Sequence, residues 1–110
     1  MTIAIGNEVV VSTDGASDWL KIPTDGDRVY PTVSVGNANN VWGGSTTAAL
    51  EYCTDATKSS PIPVPLREQD NTTAIVFSAN DQRTLENMRG YVRIKVANYS
   101  GSDPITLSIV

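Results

Sequence analysis

Alternation with a period of two constrains this chain more than any other feature. In Tyr91-Val92-Arg93-Ile94-Lys95-Val96, the valines and Ile94 share one face while Arg93 and Lys95 take the other. In Ile105-Thr106-Leu107-Ser108-Ile109 three aliphatic residues oppose Thr106 and Ser108. Side chains that alternate in this way belong to strands with one buried face. The residues between, rich in Asn, Ser, Gly and Pro, carry turn chemistry. The reading is a terminal hairpin whose last strand lies inside the fold.

The rest of the chain repeats the pattern in short pieces. The β-branched run 8–13 ends at Asp14-Gly15, and 18–22 resumes an extended pattern stopped by Pro23, which reads as a first hairpin. A strand follows at 29–36, with Pro31 placing it at an edge or at its own start. Residues 36–45, dense in Gly and Asn, form a loop, and 46–53 a central strand. Pro61-Ile62-Pro63-Val64-Pro65-Leu66 lacks three backbone donors and reads as an edge segment or polyproline-like connector. Residues 72–78 are another strand, with Ile75 and Phe77 opposing Val76; 80–88 suit a single helical turn capped by Asp81. About eight short strands and no long helix point to one all-β domain over residues 1–110, a β-sandwich or jelly roll, with a small closed barrel as the structural alternative.

Composition narrows the chemistry. A net charge of -4, with eight dispersed Lys and Arg, argues against nucleic acid. The one local basic group, Arg89, Arg93 and Lys95, reads as a solvated strand face. No run of about 20 apolar residues is present to span a bilayer, and the start lacks the form of a secretory signal. Cys53 is alone, so no disulfide joins two parts of this chain. Histidine is absent, which removes Ser-His-Asp and Cys-His activation together with the commonest metal ligand. Cys53 reads as a buried small residue. The carboxylate pairs Asp14/Asp18, Asp25/Asp27 and Glu68/Asp70 lie in turns, where Asp caps backbone amides. Asp25 and Asp27 are the candidate Ca²⁺ ligands, without the further ligands a dedicated loop supplies. No cofactor and no catalytic residue is expected.

Two stretches carry a resemblance. Gly43-Gly44-Ser45-Thr46-Thr47-Ala48-Ala49-Leu50-Glu51-Tyr52-Cys53-Thr54-Asp55, and Arg89-Gly90-Tyr91-Val92-Arg93-Ile94-Lys95-Val96 before Ser100-Gly101-Ser102, resemble small β-sandwich structural proteins of tailed bacteriophages. Within that group, size and the lack of further domains favour the capsid decoration (cement or stapling) proteins of short-tailed phages. The resemblance implies a non-enzymatic subunit, often dimeric, made in the bacterial cytoplasm. It would sit on the outer capsid surface, bridge copies of the major capsid protein and resist the pressure of packaged DNA. The alternative is a tail, fibre or receptor-binding module that contacts host glycan. A small β-barrel enzyme using Asp25 and Asp27 is the reading from a third class.

Candidate contact residues follow from expected exposure. Met1, Ile3, Ile5 and Val110 lie at apolar termini able to add to a neighbouring sheet edge. Trp42 and Tyr99 lie in loops, where an aromatic either covers its own core or touches another chain. Trp19, flanked by Leu20 and Ile22, reads as core.

Overall fold

The computed structural model describes residues 3, 6–23, 31–40, 42–57, 61–68, 72–85, 90–100 and 103–109. Ten short strands are present among them: β1 (Glu8–Val11), β2 (Gly15–Ala16), β3 (Leu20–Lys21), β4 (Thr32–Gly36), β5 (Thr47–Cys53), β6 (Val64–Pro65), β7 (Val76–Phe77), β8 (Asp81–Thr84), β9 (Tyr91–Ala97) and β10 (Ile105–Ile109). They form two antiparallel sheets, β1-β10-β4-β8 and a second built around β9 and β5.

In the second sheet, β2 and β3 both pair with one side of β9, and β6 and β7 both pair with one side of β5. Each couple is one strand position, broken in the middle. Ser17 makes the first break: its amide donates to the Ile94 carbonyl at 2.8 Å, and its Oγ accepts the Ile94 amide at 3.1 Å. A hydroxyl thus replaces a backbone carbonyl in the ladder. At the second, Leu66 donates to Leu50 while Leu50 donates to Ile75, so β5 passes from one partner to the other at a single residue.

Counted by position, the described residues form eight strands, and position 4 (β5) pairs with 5 (β6 and β7), 3 (β4) with 6 (β8), 2 (β2 and β3) with 7 (β9), and 1 (β1) with 8 (β10). This is one long hairpin rolled up, closed by β10 on β4 and β9 on β5. It is the strand order of a double-sheet jelly roll. The inward faces of both sheets meet in one core: Val9, Val11, Val33, Val35, Ile105, Leu107 and Ile109 from the first, Leu20, Ala48, Leu50, Phe77, Val92, Ile94 and Val96 from the second.

The alternation therefore assigns faces correctly, but two expected hairpins do not form. The segments 8–13 and 18–22 lie in different sheets, as do β9 and β10, because each turn carries the chain from one sheet across to the other. Alternation fixes which face is buried and says nothing of the partner. The expected helical turn at 80–88 is also replaced: Asp81–Thr84 is strand β8 against β4, and 86–89 lie outside the described residues. The segment of prolines is an edge, as expected, and β5 is central. Pro31 immediately precedes β4, where its carbonyl accepts the Leu85 amide.

Candidate functional site

The longest two strands, β5 and β9, lie against each other. β5 and β9 pair along seven residues, from Thr47↔Ala97 to Cys53↔Tyr91, at the centre of the second sheet. Their loops interlock as well. Thr46 Oγ1 donates to the Asn98 carbonyl at 2.8 Å and accepts the Ser100 amide at 3.1 Å. Gly43, at φ +74°, packs so closely on Ser100 that a Cβ there would overlap the hydroxyl. Gly90 lies against the Cys53 carbonyl, 2.7 Å from where its Cβ would stand.

On the outer face of this pair, Glu51 and Arg93 are directly opposed, and Arg93 Nε donates to Glu51 Oε1 at 2.8 Å. The guanidinium lies over the fully buried Trp19 ring, 4.4 Å from its centroid. Trp19, Cys53 and Ala56 form a small second core covered by Ile3 and Tyr91. Arg93 is therefore 9% exposed rather than part of a solvated face, because the flat cation covers an indole. Lys95 is exposed as expected, and Arg89 lies outside the described residues. The Cys53 thiol is buried, and burial pushes it above its usual value, which disfavours the thiolate.

The expected contact residues are placed as follows. Trp42 is 5% exposed and belongs to the main core, and its Nε1 donates to Asn80 Oδ1 at 2.8 Å. Of the two uses open to a loop aromatic, the burial shows that it covers its own core. Asn80 explains why a loop tryptophan turns inward: Oδ1 also accepts the Asn37 amide at 2.9 Å, Nδ2 donates to the Asn37 carbonyl at 2.8 Å, and the backbone amide donates to Asn40 Oδ1. Tyr99 is half-buried, with its hydroxyl donating to the Asp103 carbonyl and its amide to Asp14 Oδ1. Ile3 is half-buried, joined to Trp19 by an isolated parallel bridge. Met1, Ile5, Val110, Asp25 and Asp27 lie outside the described residues.

Two surfaces remain open. An open groove of about 630 Å³ runs across the outer face of the first sheet. Register aligns Glu8, Ser108, Ser34 and Gln82 in one row across its four strands. The side chains of Ser34, Thr106, Ser108 and Gln82 have no partner within the chain among the described residues, so the groove presents hydroxyls and an amide. Alternation marks Thr106 and Ser108 as outward-facing, but Gln82 falls in a segment that reads as a helical turn, and strands far apart in the chain give no sign in sequence that they meet. The second surface is the β6–β7 edge, where Ile62 is 79%, Val64 50% and Val76 48% exposed.

Among the described residues no group of three or more His, Cys, Asp and Glu is placed to hold a metal ion, and no helix is long and apolar enough to cross a membrane. No family model, curated protein or solved structure matches the chain. What the two surfaces offer is binding: hydrogen bonding across a rigid sheet, and apolar contact along an edge.

Proposed function

We propose that the chain is a non-enzymatic virion structural protein of a tailed phage, a decoration protein that binds the outer surface of the major capsid protein shell and stabilises it against internal DNA pressure. The observation that carries the reading is the β5–β9 unit. The two stretches similar to phage β-sandwich proteins form adjacent strands with interlocked loops, so the similarity falls on one coherent structural element. The jelly-roll order supplies a rigid two-sheet body with a different surface on each side. A closed symmetric shell offers many equivalent sites, so a modest contact per copy becomes useful when each copy ties neighbouring subunits together. Major capsid protein is the partner, and self-association into a homodimer accompanies it.

The test is direct. Purified chain added to expanded capsids should bind at saturable stoichiometry and raise the temperature at which they disrupt; no binding and no gain in heat resistance would overturn the reading. A second reading, a tail or receptor-binding module for host glycan, now draws on the hydroxyl-lined groove, since Trp42 is inside the core. Glycan-array binding lost in a Ser34→Val variant would favour it.

A further inference from the structure

Ile3 is tied to the rest of the fold at a single backbone position. Trp19 immediately precedes β3, in the outer strand position of the second sheet, and the Ile22 amide donates to the Gly90 carbonyl on the β9 side. Backbone groups alternate sides along a strand, so Leu20 and Ile22 face β9 while Trp19 and Lys21 face the free edge. Ile3 meets that edge at Trp19 in an isolated parallel bridge. The ladders between the described strands are all antiparallel and at least two residues long.

Between Ile3 and β1 the chain has a joint. Asn7 belongs to the first sheet, where its carbonyl accepts the Ile109 amide at 2.9 Å, while Ile3 lies on the second. Gly6, next to Asn7, has a φ of +96°, and nothing lies within 4 Å of where its Cβ would stand. The backbone conformation and not the space selects glycine here, and glycine takes either sign of φ without a clash. Rotation at Gly6 redirects Ile3 while Asn7 and β1 keep their places. What Ile3 covers is an unfinished seat. Ile3 and Tyr91 close the cluster of Trp19, Cys53 and Ala56. The Trp19 ring is fully buried beneath Arg93, yet its Nε1 donor has no acceptor among the described residues. A donor shut away from water without an acceptor opposes the closed state, so lifting Ile3 and hydrating the indole is favoured by that much.

We infer that Ile3 is an exchange contact: in a dimer of this chain, Ile3 of each copy seats on Trp19 of the other. The inference rests on the self-association in the reading above and names the residues that carry it; it does not depend on the shell. The closed chain itself identifies the occupant, because the seat at Trp19 already holds Ile3. Exchanging an identical element remakes the same bridge and the same packing between copies, with only the joint at Gly6 altered, and is a low-cost route to a dimer. The exchange is reciprocal about a two-fold axis, so both seats fill and the assembly closes at two copies.

The experiment combines sedimentation with isotope-filtered NMR. Labelled and unlabelled chains are refolded together from urea, and NOEs are recorded from labelled Ile3 methyls to unlabelled Trp19 ring protons, a signal that only a contact between copies produces. Ile3→Asp and Ile3→Val are sedimented beside wild type, with circular dichroism as the fold control. The expected result is a dimer for wild type and Ile3→Val, the signal between copies, and a dimer dissociation constant raised at least about tenfold by Ile3→Asp with its folding unchanged. A dimer without the signal between copies overturns the exchange and leaves the homodimer standing. Wild type that sediments as a monomer overturns the exchange and the homodimer together, while binding to capsids is decided separately by the capsid experiment.

Discussion

The guanidinium of Arg93 lies 4.4 Å from the centre of the Trp19 ring, on the face of the second sheet that points away from the main core. Glu51 opposite neutralises the charge, and both side chains are mostly out of water. Removing Arg93 strips the cover from the indole and leaves a carboxylate without its partner. Arg93→Met should cost about 2–4 kcal/mol, read as a lower urea midpoint with an unchanged slope and as altered Trp19 fluorescence. Arg93→Lys should recover only part, because an ammonium lacks the planar stack and the Nε donor.

Asn80 ties the 37–42 loop to the start of β8. Asn80→Ala removes the oxygen that accepts both the Asn37 amide and the Trp42 indole N–H, and a buried indole N–H that loses its acceptor costs about 1–3 kcal/mol. Chemical denaturation should show a loss of about 2–4 kcal/mol. Asn80→Asp keeps the shared acceptor and loses only the donor to the Asn37 carbonyl, so its loss should be smaller.

Gly43 is fixed by two constraints, a left-handed backbone and the Ser100 side chain. Gly43→Ala should destabilise by about 1–3 kcal/mol. In a Ser100→Gly background the overlap is gone and only the backbone cost of roughly 1 kcal/mol persists. A double-mutant cycle in thermal unfolding separates the two contributions.

Arg83 sits beside Asp81, and its guanidinium, followed by the Gln82 amide, holds the Asp81 carboxyl below its ordinary value. With the folded-state pKa depressed, the contribution is present above the unfolded value of about 3.9 and is lost as pH falls below it. Wild-type stability should therefore decline more steeply than that of Asp81→Asn below about pH 4, compared by urea titrations from pH 6 to pH 2.5. The two curves should run parallel above pH 5.

How far the sequence discloses this fold depends on which link is asked about. Buried faces are legible because Val92, Ile94 and Val96, or Ile105, Leu107 and Ile109, announce themselves by period. Partnership is not, because a jelly roll pairs positions by their distance from the middle of the chain, so that Glu8 meets Ser108. Asp81 reads as a helix cap by residue type, yet pairing with β4 makes it a strand residue, tertiary context overriding a local preference. Trp42 reads as a loop aromatic of either use, and only the distant Asn80 decides between them. Arg93 shows the same limit, since the spacing Tyr-x-Arg-x-Lys is that of a wet face and Trp19, which dries it, is 74 residues away by sequence number. The groove on the first sheet is invisible in sequence for the same reason, whereas the prolines of the opposite edge are read correctly from their missing donors alone.

The central claim is that this jelly roll decorates a phage shell, and cryo-EM of virions carrying the chain tests it most directly. The account predicts an 11.8 kDa two-sheet domain on the outer capsid lattice, at the same place around each equivalent site. Density for the domain only on the tail, or nowhere on the particle, would contradict it.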